Sequence, residues 1–62
     1  MTAKEAAEKI MHEFGVYTEE DWYNIDGEEG MELYEEMKAG VLEEYDLTDS
    51  DMEDLLDEIF NG

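Results

Sequence analysis

The residues with the most evident capacity for chemistry in this chain are its carboxylates. The stretch DSDMEDLLDEIF, Asp49 to Phe60, carries six of them without a lysine or arginine, and across the chain 21 Asp and Glu stand against three Lys. Carboxylates serve three kinds of chemistry: acid–base catalysis, cation coordination and recognition of a cationic surface. The first needs two carboxyl groups in contrasting environments, and a solvated acidic surface offers no contrast. Nucleophilic catalysis needs a nucleophile and a base in mutual reach, but His12 is the only histidine and Ser50 the only serine. Ser50 reads as a polar residue in the first turn of the last helix, and His12 as a partly exposed flank of the first helix. No catalytic residue is assigned, and an enzyme is not expected.

Cation coordination has one partial signature. NIDGEEGMELYE, Asn24 to Glu35, sets Asn24, Asp26, Glu28 and Glu35 at positions 1, 3, 5 and 12 of an EF-hand calcium loop, with Met31 at the apolar position 8. The match fails where it matters most, because Glu29 holds the sixth position, where the sharp turn requires Gly, and Asn24 replaces the opening Asp. A helix-starting acidic loop accounts for the segment, weak calcium binding remains an alternative, and no metal ligand or cofactor is assigned.

Four helical elements must position these groups. Ala3, Ala6, Ala7, Ile10, Met11 and Phe14 follow helical spacing, Thr2 with Glu5 reads as a capping box, and Gly15 as the stop. Thr18 with Asp21 repeats the box, flanked by Tyr17 and Trp22 at the positions of a hydrophobic staple. Asn24, Asp26, Gly27 and Gly30 then favour a turn. A long third helix follows, with Tyr34, Met37, Val41 and Tyr45 on its apolar stripe and Leu33 and Leu42 widening it. Gly40 within it marks either a break or a close helix approach. Thr48 with Asp51, and Leu47 with Met52, start a last helix whose face is Met52, Leu55, Leu56, Ile59 and Phe60, stopped by Asn61-Gly62. The expected fold is all-α, a small bundle of three main helices plus one short helix, over residues 3–14, 19–24, 29–45 and 49–60 of one domain.

The composition bounds what such a domain can be. Sixty-two residues leave a thin core, since a chain of this size buries only about 60% of its unfolded surface. Cysteine is absent, which excludes disulfides and thiolate metal sites and fits a reducing compartment. No apolar run approaches the roughly 20 residues that cross a bilayer, so a cytoplasmic protein without membrane association is expected. Met11, Met37 and Met52 read as core. Trp22, Tyr23, Leu33 and Leu42 are too many to point inward, which predicts that Trp22 or Tyr23 is exposed at a contact and that the chain self-associates as a homodimer.

Recognition of a cationic surface is the use that remains. The net charge is −18, while solubility of a small domain needs a magnitude of only about 2 to 8. The charge is also uneven: Lys4 and Lys9 nearly balance Glu5, Glu8 and Glu13, which leaves −17 for residues 18–62. Glu28, Glu32, Glu35, Glu36 and Glu43 lie opposite the apolar stripe of the third helix, and Asp51, Asp54, Asp57 and Glu58 flank that of the fourth. Neighbours three or four apart on a helix stand about 5–6 Å apart between Cβ atoms, comparable with successive phosphates on a nucleic-acid strand. Two such helices side by side would present two negative rows. Their self-repulsion predicts stabilisation by salt, and by mild acid if like charges raise the carboxyl pKa values.

EEGMELYEEM and DMEDLLDEIF, on a small cysteine-free chain, resemble the small acidic DNA-mimic inhibitors of phages and mobile elements, which include anti-restriction proteins, anti-CRISPR proteins and uracil-DNA glycosylase inhibitors. The resemblance covers residues 18–62 and implies an inhibitor that occupies the basic nucleic-acid-binding site of a host or defence protein without binding nucleic acid itself. Trp22 and the nine helix carboxylates named above are the expected partner-binding residues. The alternative is an acidic helical module that docks a basic helix or tail.

Overall fold

The computed structural model describes residues 1–61. The chain forms α1 (Ala3–Glu13), α2 (Glu19–Asn24), α3 (Gly27–Met37), a π-helical segment (Lys38–Leu42) and α4 (Asp49–Asn61), with no strand among the described residues. The small all-α bundle expected from the periodicity is the observed fold. Gly62, half of the expected C-terminal stop, lies outside the described residues.

Three helix starts are built from four residues each. At α1, Glu5 N–H donates to Thr2 Oγ1 (3.2 Å) while Thr2 N–H donates to Glu5 Oε1 (3.0 Å). The same reciprocal pairs join Thr18 to Asp21 (3.1 and 3.2 Å) and Thr48 to Asp51 (3.2 and 2.9 Å). Each box satisfies two backbone donors that the first helical turn leaves free. α1 ends at Gly15, whose φ of 77° places it in the left-handed region that glycine enters without a Cβ penalty. Val16 N–H then reaches Met11 C=O (2.9 Å) and Gly15 N–H reaches His12 C=O (3.0 Å), the paired bonds of a Schellman motif. Asp46, at φ 55°, makes a similar turn after the π segment, where Leu47 N–H reaches Leu42 C=O at 2.7 Å.

The third helix differs from the expected run over 29–45. It starts two residues earlier, at Gly27, and widens into the π segment after Met37, where Glu43 N–H bonds Lys38 C=O five residues back (2.9 Å). Within this i→i+5 segment Val41 and Leu42 are both buried, with Leu33 and Met37 of α3. The stripe is therefore Leu33/Met37/Val41/Leu42. Of the two tyrosines expected on it, Tyr34 is exposed, while Tyr45 is half-buried and packs against the core. Both readings of Gly40 are realised: it lies in the break, and a Cβ built there would stand 2.8 Å from Ile10 Cδ1.

α1 is the element on which α3, the π segment and α4 pack. It contributes Ala6, Ala7 and Met11 to a core completed by Val16, the α3–π stripe and Met52 of α4. Leu55, Leu56, Ile59 and Phe60 are half-buried around that core, so α4 lies over it. α3 and α4 each rest on α1 and are joined directly where the Tyr34 hydroxyl donates to Asp49 (3.2 Å), and Tyr17, at the expected staple position, stacks on His12 with ring centroids 4.7 Å apart. The molecule measures 26 × 24 × 20 Å.

Candidate functional site

Every carboxylate singled out on the third and fourth helices (Glu28, Glu32, Glu35, Glu36 and Glu43; Asp51, Asp54, Asp57 and Glu58) is solvent-exposed. The reason is the helical pattern itself, which buries Leu33, Met37, Val41 and Met52 and leaves the intervening positions outside. Their surroundings differ. Glu32, Glu35 and Glu36 border a hollow beside Phe14 and Ala39. Glu43 borders another together with Lys38 and Asp46.

On α4 three of the four carboxylates have partners within the fold. Asp51 caps its own helix through Thr48. Asp57 accepts a bond from Asn61 Nδ2 (2.9 Å), and Glu58 lies 4.0 Å from Lys4 Nζ, the one ion pair among the described residues. Lys4, on α1, thus relieves the acidic surface in a way that position along the sequence does not reveal. Asp54 has no such tie.

Two titrations are displaced, and both run against the expected raising of carboxyl pKa values by like-charge neighbours. Glu5 is held below its ordinary value of 4.5 first by the Thr2 backbone N–H and then by the Thr2 hydroxyl. Asp21 is held below 3.8 first by the Tyr17 N–H, 3.1 Å from its Oδ2, and then by the N–H and hydroxyl of Thr18. Bonds from backbone donors favour the ionised carboxylate.

The aromatic residues divide as the sequence requires. Tyr23 is 75% exposed, and Trp22 is half-buried against the core. Leu33 and Leu42 are buried, so the apolar surplus behind the expected dimer shrinks. Trp22 also lies in a cleft of about 350 Å³ between α2 and α4, floored by Trp22, Leu56 and Phe60. Its rim carries Tyr23 and three carboxylates, Glu19, Glu53 and Asp57. A smaller hollow of about 270 Å³ shares Trp22, Glu53 and Leu56 and extends to Tyr34 and Asp49, where Tyr34 Oη donates to Asp49 Oδ1 (3.2 Å). Glu19 and Glu53 were not singled out by spacing, because no periodicity within one helix reports that α2 lies across α4.

The calcium-loop spacing is not used as a loop. Gly27 to Glu35 is helical, which carries Glu28 and Glu35 along a helix instead of around an ion, and no group of three potential metal ligands comes together among the described residues. No helix among them is long and apolar enough to cross a membrane. Comparison with protein families, with curated proteins and with solved structures finds no match to this chain.

Proposed function

We propose that this protein is an acidic DNA-mimic inhibitor that occupies the basic nucleic-acid-binding site of a host or defence enzyme, of the restriction, CRISPR or DNA-repair kind. The observation that carries this reading is the density of exposed carboxylate on a molecule of this size. A 26 Å length of duplex holds about 15 phosphate charges at one per roughly 1.7 Å of axis, and the chain carries a net −18. Folding uses only part of that charge, through the capping carboxylates Glu5, Asp21 and Asp51, the Asp57–Asn61 bond and the Lys4–Glu58 pair. Glu43 and Glu58 stand at C-terminal ends of helical segments, where the helix dipole already presents negative charge and disfavours more. A surface lined by Lys and Arg for phosphates would accept these carboxylates instead, at an electrostatically raised association rate. The near-globular outline supports a plug over part of such a groove rather than a rod laid along it.

The test is inhibition of purified restriction, CRISPR and uracil-glycosylase enzymes, with duplex and single-stranded DNA as competitors. The expected result is inhibition that DNA relieves competitively and that weakens steeply with salt. Neutralising Glu32, Glu35, Glu36, Asp54, Asp57 and Glu58 together should reduce affinity by orders of magnitude and leave the helices intact, whereas Glu36→Gln alone should act modestly, through association rate. A partner that keeps its DNA while bound, or a six-fold neutral variant that binds like the parent, would turn the reading to the second one, docking of a basic helix or tail. The apolar floor of the α2–α4 cleft favours that second reading, which predicts binding that tolerates salt.

A further inference from the structure

We infer that the α2–α4 cleft is the anchor of the partner interface and that it receives an arginine side chain. The inference rests on the reading that a basic protein covers the acidic surface, and it names where that contact is most specific. The floor is apolar and aromatic (Trp22, Leu56 and Phe60), the lip is the exposed ring of Tyr23, and the charged groups on the rim, Glu19, Glu53 and Asp57, are all acidic.

This lining decides among occupants by charge complementarity. An anion is repelled by three carboxylates, and a neutral apolar group would desolvate them without replacing their lost water. A cation on an apolar stem satisfies both parts. Between the two basic side chains, the planar guanidinium stacks on aromatic rings and takes carboxylates bidentately, while the ammonium is compact and strongly hydrated. At about 350 Å³ the cleft falls within the range of roughly 300–1,000 Å³ usual for binding pockets. Aromatic and arginine anchors also dominate interface energetics elsewhere.

Trp22 is the only tryptophan, so its fluorescence reports the cleft directly. The probe is a blocked peptide of alternating arginine and glycine, compared at fixed low salt with its citrulline and lysine counterparts. Saturable change with the arginine peptide, none with citrulline and weaker binding of lysine are expected. Tyr23→Ala, at a position too exposed to support the core, and Glu53→Gln with Asp57→Asn should each weaken binding about tenfold or more. Glu32→Gln with Glu36→Gln, which removes the same charge from α3, should weaken it less than about threefold. Equal weakening by the two charge-matched pairs, with Tyr23→Ala unchanged, would overturn the anchor while DNA-competitive inhibition stood. Equal binding of lysine and arginine would overturn the assignment of the occupant. Absence of any basic-peptide binding, by fluorescence and by sedimentation, would overturn the inference together with the reading beneath it.

Discussion

At the scale of single residues, Glu5 and Asp21 couple the fold to pH. Each carboxyl is held below its ordinary value by backbone and hydroxyl donors, so the folded state takes up these two protons at lower pH than the unfolded chain does. Their contribution is therefore present above about pH 4.5 for Glu5 and 3.8 for Asp21, and is lost as pH falls through the depressed folded values. The expected outcome is that Glu5→Gln with Asp21→Asn melts below a charge-matched variant, Glu43→Gln with Glu44→Gln, at neutral pH. The two melting temperatures should converge as the solution is acidified past those values. A gap that stays constant with pH would show that the boxes do not carry this linkage.

At the scale of elements, the packing of α1 on the π segment turns on one close approach. Gly40→Ala replaces a poor helix former, a gain of up to about 1 kcal/mol, but its Cβ would meet Ile10 Cδ1 at 2.8 Å. Ile10 is half-buried, so the tip can shift at some cost. In an Ile10→Val background the obstructing atom is gone. Gly40→Ala should therefore be near neutral alone and stabilising with Ile10→Val, with a coupling of about 0.5–1 kcal/mol in denaturant unfolding. Additive effects would mean that the contact does not constrain the two helices. The same elements explain what could be read in advance. The three capping boxes were legible because each is complete within four residues, and the burial of Met11, Met37 and Met52 because it follows one helix's period. The π segment was not, since Leu33, Tyr34, Met37, Val41, Leu42 and Tyr45 fit a straight α-helix as well as a widened one. Neither the Lys4–Glu58 pair nor the aromatic cleft could be read, because both arise from which helices cross, a property of the whole core.

At the scale of the molecule, self-repulsion opposes a small core. Raising NaCl from about 0.01 to about 1 M shortens the screening length from roughly 30 to roughly 3 Å, and the melting temperature should rise by several degrees. A fall would show that attractive pairs outweigh the repulsion of the exposed carboxylates. The position of α1 as the element on which the others rest also governs how fast the chain finds its fold. An 11-residue helix is marginal alone in water, and the expected rate-limiting event is the docking of α1 on the α3–π stripe. With no proline and no cysteine, neither peptide-bond isomerisation nor disulfide exchange can delay it. Stopped-flow refolding followed through Trp22 should therefore show one phase, finished within milliseconds as for other small helical domains. Truncations at Met11 or Met37 should slow that phase, while truncations at Leu55 or Ile59, on the helix laid over the core, should chiefly hasten unfolding.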